Sequence, residues 1–181
     1  ERTIPIFGRQ HVVNLMGASS IALACGMNGS EIWSQLPKCR TTWGRSQLVD
    51  LDGGAKALFD AYNANPESMA AVIKSVFETP IEGQKVAILG EMLELGEVSS
   101  ESHRQLGEMI GNTDIDQIWF IGEHYKDFEE GVGLSMFKKT CYLSEKYEPS
   151  ISEKIGKTLG LKDIVMLKGS RGMKLERVLE D

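Results

Sequence analysis

From residue 66 onward the chain alternates longer amphipathic stretches with short, wholly apolar runs. Val86-Ala87-Ile88-Leu89, Ile118-Trp119-Phe120-Ile121 and Ile164-Val165-Met166-Leu167 have the length of strands rather than helices. With a weaker run near 139–143, the pattern predicts strands over 85–89, 117–121, 139–143 and 163–167. Helical spacing fills the intervals over 66–78, 100–110, 125–131 and 150–159, and a closing helix is expected from Met173. Ahead of this alternation, 46–51 and 55–60 read as a hairpin or two neighbouring strands, separated by Asp52-Gly53-Gly54, a turn sequence that tolerates positive φ. The opening segment is helical instead. Residues 12–27 are rich in Ala, Ser, Leu and Ile at helical spacing, and Gly17, Ala18, Ser19 and Ala22 predict close packing against another element. A second helix, capped by Asn28 or Ser30, runs to about Leu36 before Pro37, which makes an αα-hairpin.

Strands alternating with helices of this length form a mainly parallel sheet covered on both faces. The expected class is α/β, a Rossmann-like doubly wound sheet preceded by a short helical segment. Ligands of such sheets bind beyond the carboxyl ends of the strands. That rule selects 60–66, 90–96, Gly122 and 168–171 as one rim.

Composition narrows the function classes. The chain has 181 residues, 41% hydrophobic and 25% charged, enough for one full domain and a piece of another. Twenty Lys and Arg against twenty-six Asp and Glu give a net charge of -6 with no basic run, so nucleic acid is not an expected partner. The apolar runs fall far short of the roughly 20 residues that a membrane span needs, and no membrane insertion is expected. Glu1-Arg2-Thr3-Ile4-Pro5 has neither a starting Met nor a signal-peptide core and reads as a cut in a longer protein. Cys25, Cys39 and Cys141 are widely spaced, as expected of reduced thiols in the cytoplasm. His11, His103 and His124 form no metal-ligand motif, so no protein-only metal cage is expected.

Three segments on the selected rim carry candidate chemistry. Asp60-Ala61-Tyr62-Asn63-Ala64-Asn65-Pro66-Glu67-Ser68-Met69 sets an acid, a phenol and two amides at a strand-to-helix turn, where Pro66 suits the first helical turn; the plainer reading is a structural turn. Gly90-Glu91-Met92-Leu93-Glu94-Leu95-Gly96 offers two carboxylates, either an acid/base pair or solvated loop acids. His103 follows inside a helix, as a structural contact or a catalytic group. Lys168-Gly169-Ser170-Arg171, with Glu176 beyond, sets two cations at a strand end. No Ser-His-Asp or Cys-His nucleophile pattern is legible.

In this order the three segments resemble the D-x-Y-N-A-N-P-x-S-M, G-[DE]-M-x-E-L-G and K-G-S-R-x-x-x-x-E motifs of the Mur ligase family, in its D-alanyl-D-alanine-adding branch. The resemblance covers roughly residues 45–181. Upstream, Gly8-Arg9-Gln10-His11-Val12-Val13-Asn14-Leu15 is similar to the family's G-x-H-N-x-x-N-A stretch, with its second Asn matched at Asn14 and its His-Asn pair replaced by Gln10-His11. Other Mur ligases and folylpolyglutamate synthetases share the three-domain plan but carry a His-containing D-Y-A-H-type string where this chain has Tyr62-Asn63-Ala64-Asn65. A free-standing dinucleotide-binding module would show G-x-G-x-x-G after its first strand, and none occurs.

The resemblance implies an ATP-dependent ligase that activates the carboxylate of UDP-N-acetylmuramoyl-tripeptide as an acyl phosphate, with Mg2+, for attack by the amine of D-alanyl-D-alanine. It implies that residues 1–45 are the last helices of the central ATPase domain and 46–181 the C-terminal domain. Nucleotide contacts are then expected at Asn14, Arg45, Asp60 and Tyr62, with Asp60 on the ribose hydroxyls and His11 as a further contact or an ordinary surface histidine. The acceptor dipeptide site is expected at Asn63, Asn65, Lys168, Ser170 and Arg171. A cytoplasmic monomer follows from the same resemblance. No G-x-x-x-x-G-K-[ST] phosphate loop lies within the 181 residues, so the chain by itself is expected to be inactive, with the metal ligands upstream.

Overall fold

A computed structural model describes residues 2–180. The helical segment comprises α1 (Gln10–Ala24) and α2 (Gly29–Gln35). The sheet domain follows as β1 (Gln47–Asp50), β2 (Lys56–Asp60), α3 (Pro66–Phe77), β3 (Lys85–Gly90), α4 (Ser99–Gly111), β4 (Gln117–Ile121), α5 (Tyr125–Leu134), β5 (Thr140–Ser144), α6 (Pro149–Thr158), β6 (Ile164–Lys168) and α7 (Arg177–Glu180). Helix starts obey local chemistry. Asn28 caps α2 and Asn65 caps α3, each accepting from the third residue onward, whose side chain accepts the cap's own N–H in return.

The six strands are ordered β1-β2-β6-β3-β4-β5, with β1 antiparallel to β2 and every other pair parallel. Strand alternation splits the core into two layers. Leu58, Ala87, Leu89, Ile118, Phe120, Ile164 and Met166 face α3, α4 and α5, while Phe59, Val86, Ile88, Trp119, Val165 and Leu167 face α6 and α7. The doubly wound expectation therefore holds, and its consequence for function is the placement of β6. Last in sequence, it enters between β2 and β3 and brings their carboxyl ends to a common rim.

Three boundaries differ from the sequence pattern for identifiable reasons. The first strand begins at Gln47 because Ser46 takes a left-handed conformation, φ 46°. Lys168, expected in a loop, is the last residue of β6. The closing helix expected from Met173 is instead a 3-10 turn over Arg171–Met173, broken at the left-handed Lys174 (φ 50°) before α7 starts at Arg177. The small residues of α1 also lack the close partner they predict. None of its residues is buried, and nothing approaches the Cβ position of Gly17. The apolar sides of α1 and α2 line an open groove of about 480 Å³ with Ile4, Val12, Met16, Leu23, Ile32 and Trp33 on its walls. Among the described residues no helix is long and apolar enough to cross a membrane.

Two features hold the rim in shape. Helices α4 and α5 cross almost in contact: a Cβ added at Gly131 would lie 1.8 Å from the Arg104 carbonyl oxygen, and one at Gly107 would lie 2.1 Å from that of Phe128. The crossing sets the starts of both helices beneath the loop after β3. There the fully buried His103 donates from Nδ1 to the Ser99 carbonyl at 2.7 Å and accepts at Nε2 from Met92 N–H at 2.9 Å. That pair of bonds fixes the neutral tautomer, and burial lowers its pKa from the ordinary 6.5. Both ring nitrogens are thereby engaged within the chain. His11, partly buried at the start of α1, is also lowered, first by burial.

Gly131→Ala should lower stability by about 1–3 kcal/mol through overpacking. Gly156→Ala, in α6 with no atom near its Cβ position, should raise it by about 0.5–1 kcal/mol. Urea denaturation of both variants checks the pair. For His103, the folded-state pKa is depressed, so the neutral imidazole's contribution is complete above the ordinary value and is lost as pH falls through the folded value. Thermal melts should show the midpoint dropping as the pH falls below the ordinary histidine value of 6.5. His103→Gln should flatten that drop in part, leaving the component of the same sign that His11 supplies.

Candidate functional site

The rim is built on one buried ion pair. Asp60 ends β2, Lys168 ends β6, and the register sets them opposite one another, with Leu89 of β3 on the other side of Lys168. Alternation turns both side chains to the face shared by Leu58 and Met166. Lys168 is 2% exposed, and its Nζ donates to Asp60 Oδ2 at 2.7 Å, Asn63 O at 2.9 Å and Asp60 O at 3.4 Å. Burial pushes its ammonium down, opposed by the charge and hydrogen bond of Asp60. The other carboxylate oxygen, Oδ1, accepts from Ser46 N at 2.7 Å and Ser46 Oγ at 3.2 Å. These bonds hold Ser46 in its left-handed conformation, an uncommon one for a residue with a Cβ.

The segment before Ser46 is clamped onto the same strand ends. Gly44 O accepts from Tyr62 N, the Arg45 guanidinium lies 4.4 Å from the Tyr62 ring centre, and Trp43 packs edge-on against Phe59 at 5.0 Å. The Arg171 guanidinium lies over the Trp43 ring, 4.6 Å from its centre, and is also bonded to Glu176 at 2.6 Å. Ser170 is buried, donating its N–H to Glu91 O and accepting at Oγ from Leu93 N–H. Gly169 is required here by a close approach, since a Cβ would lie 2.9 Å from the Gly90 Cα.

Beside the clamp an open cleft of about 500 Å³ is lined by His11, Asn14, Thr41, Thr42, Arg40 and Arg45, among others. His11 Nε2 is buried and has no hydrogen-bond partner within the chain. An imidazole nitrogen, an amide, two hydroxyls and two guanidinium groups suit a ligand with a polar heterocycle and anionic groups. Among the described residues no three His, Cys, Asp or Glu side chains converge as a metal site.

The expected residues separate by this geometry. Asn14 and Arg45 meet in the cleft, and Tyr62 reaches it through Arg45. Asp60, expected as a free rim carboxylate, is 8% exposed, has both oxygens engaged and retains one unused lone pair on Oδ2. Lys168, expected at the acceptor site, spends its three N–H groups inside the chain. Asn65 is a helix cap, Ser170 a loop anchor, and Asn63 keeps an exposed side chain while its carbonyl holds Lys168. Arg171 is half exposed and is the cation of this motif that a ligand can reach. Sequence reading missed Ser46 and Trp43 as partners, because their contacts with 59, 60 and 171 join separate motifs.

Glu91 and Glu94 do not form a pair. Glu91 is buried and accepts from Glu123 N at 3.1 Å, whereas Glu94 is exposed at φ 66°. The structure also assembles an array that spacing concealed: His124 Nδ1 meets Asp127 Oδ2 at 2.7 Å and its Nε2 meets Ser99 Oγ at 2.9 Å. The His124 bond holds the Asp127 carboxyl below its ordinary range. His124 also stacks on His103 at 4.7 Å and lies 3.5 Å from Glu91 Oε1. These contacts tie the starts of α4 and α5 to the loop after β3. The three cysteines are unpaired, and burial pushes the Cys141 thiol up to about 11.

Comparison with known proteins joins this geometry to a family. Residues 44–171 match the domain described as "Mur ligase, glutamate ligase domain". The UDP-N-acetylmuramoyl-tripeptide--D-alanyl-D-alanine ligase of Bacillus subtilis (strain 168) is 31% identical over 178 residues, 98% of this chain and 39% of that protein. The ligase of the same name from Escherichia coli (strain K12) is 29% identical over 97% of this chain and 37% of its own length. Among solved structures, MurF of Acinetobacter baumannii superposes with a TM-score of 0.85 at 27% identity, covering 98% of this chain and 38% of that one. The MurF ligase of Thermotoga maritima, solved in complex with ADP, gives 0.77 at 27% identity over 97% and 38%. The chain thus spans about two fifths of the length of these relatives. On a match that takes in most of its length, the chain belongs to the Mur ligase family, through the glutamate ligase domain.

Proposed function

We propose that this chain is the carboxy-terminal part of an ATP-dependent ligase that adds D-alanyl-D-alanine to UDP-N-acetylmuramoyl-tripeptide. The observation that carries the reading is a near whole-chain likeness to relatives bearing that name, with three motifs on one rim beside a cleft lined by His11, Asn14, Arg40 and Arg45. Residues 1–45 are taken as the end of the central ATPase domain and 46–181 as the C-terminal domain. Support for that division comes from the exposed apolar faces of α1 and α2, which a larger domain would cover.

In this reading Asn14 lies at the base, and Arg45, oriented by the Tyr62 ring, lies toward the phosphates. Developing negative charge on a transferring phosphoryl group is met by fixed cations rather than by a nucleophile of the protein. Asp60, with a single unused lone pair on Oδ2, reaches one ribose hydroxyl at most. Arg171 holds the carboxylate of the dipeptide through its planar fork, which requires it to exchange Glu176 for the ligand. Asn63 contributes an exposed amide to the same pocket. Mg2+ is bound by residues outside this chain, and the enzyme acts in the cytoplasm, where its nucleotide-linked substrate and ATP are found together.

Two outcomes test the reading. The 181-residue chain should show no ATP turnover with tripeptide and dipeptide present, and turnover would overturn the division of labour with an upstream phosphate loop. In the full-length ligase, Arg171→Ala should raise KM for D-alanyl-D-alanine by roughly ten- to hundredfold, the loss of a charge-assisted contact, with much smaller changes for ATP and the tripeptide. Equal effects on all three substrates would assign Arg171 to folding or domain closure.

A further inference from the structure

We infer that Lys168 is a positioning residue that locks the nucleotide-side and acceptor-side loops into one unit, and is not a ligand of the dipeptide. The inference rests on the ligase reading above. An ammonium has three N–H donors, and those of Lys168 are directed to Asp60 Oδ2, Asn63 O and Asp60 O. At 2% exposure it presents no donor to a substrate.

Two of those bonds go to Asp60 and one to Asn63, and the two residues belong to different parts of the rim. Asp60 passes the constraint through Oδ1 to Ser46. Ser46 is adjacent to Arg45, and the Arg45 guanidinium rests on Tyr62 while Gly44 O accepts from Tyr62 N. Asn63 is held through its carbonyl, which fixes the turn that carries its exposed side chain. Along its own chain, Lys168 leads directly into Gly169, seated on Gly90, then Ser170, bonded to the loop after β3, then Arg171 over Trp43. A single buried ammonium thus links the turn that aims Arg45 to the turn that aims Arg171. Nucleotide affinity and acceptor affinity should both depend on Lys168, although it touches neither ligand.

The test uses the full-length ligase with Lys168→Met, Asp60→Asn, the double variant and Ser46→Gly, measuring thermal midpoint and KM for ATP and for D-alanyl-D-alanine. Lys168→Met and Asp60→Asn each leave an unmatched buried group and should lower the midpoint. The double variant removes both charges and should regain most of the midpoint, while KM for both substrates stays raised by roughly tenfold, because the turns are no longer tied. Ser46→Gly suits the left-handed backbone and removes only the hydroxyl's contacts with Asp60 and Gln10, so it folds whatever the buried pair does. It should raise KM for D-alanyl-D-alanine as well as for ATP, by roughly two- to tenfold. A rise in dipeptide KM alone in Lys168→Met would make Lys168 a substrate ligand. Wild-type kinetics in the double variant, or an unchanged dipeptide KM in Ser46→Gly, would reduce the pair to a fold element. A wild-type enzyme whose ATP consumption ignores D-alanyl-D-alanine would instead overturn the ligase reading.

Discussion

A carboxylate and an ammonium facing each other out of water, at the ends of adjacent parallel strands, govern the rest of this domain's rim. Desolvating both groups costs much of what their attraction returns, so the value of the Asp60–Lys168 pair lies in specificity more than in net stability. A one-residue slip of β6 would turn Lys168 to the opposite face of the sheet and leave two unmatched charges. Only one register satisfies the pair. That register also seats Gly169 on Gly90 and delivers Arg171 to Trp43.

The loop after β3 is stabilised differently, by side chains that accept hydrogen bonds from backbone amides. His103 accepts from Met92 N–H, Ser170 Oγ accepts from Leu93 N–H, and Glu91 accepts from Glu123 N. Buried polar groups that are satisfied in this way rigidify a site, and here they come from β3, α4, β6 and the turn after β4. Carboxylates and a histidine that resemble acid/base machinery in a linear reading are thereby committed to holding backbone in place. Groups that remain open include Asn14 and Arg45 at the cleft and Asn63 and Arg171 at the outer edge of the rim.

The helical segment contrasts with the sheet domain. Its α1 has no buried residue, while every strand from β2 to β4 is almost wholly interior. It is joined to the rim chiefly by the clamped stretch 43–46 and by Gln10, which bridges Ser46 and Ser75. The side chains that aim Arg45 are therefore also those that fix the junction, so the orientation of the helical segment and the geometry of the cleft respond to the same contacts.

Local information was enough for much of this. Apolar runs of strand length, Asn caps, Pro66 and the Asp52-Gly53-Gly54 turn are short-range signals, and they specified the element order, the doubly wound class and the rim on which the motifs fall. The motifs also carried the family, because their residue strings are specific whatever the fold does with them. What local information could not assign was the use of each side chain. Lys168 and Asp60 lie 108 residues apart, and their pairing depends on β6 inserting between β2 and β3. A lysine one residue beyond a strand is a rim cation, whereas one residue earlier it is a buried partner, and that shift is smaller than the precision of a strand boundary read from pattern. Periodicity likewise placed His103 in a helix without revealing the Met92 amide above it, and Ser99, His124 and Asp127 without the α4–α5 crossing that aligns them. The sequence by itself determined which groups stand at the strand ends; only tertiary packing, through strand order and register, decided which of them are spent on one another and which remain for a ligand.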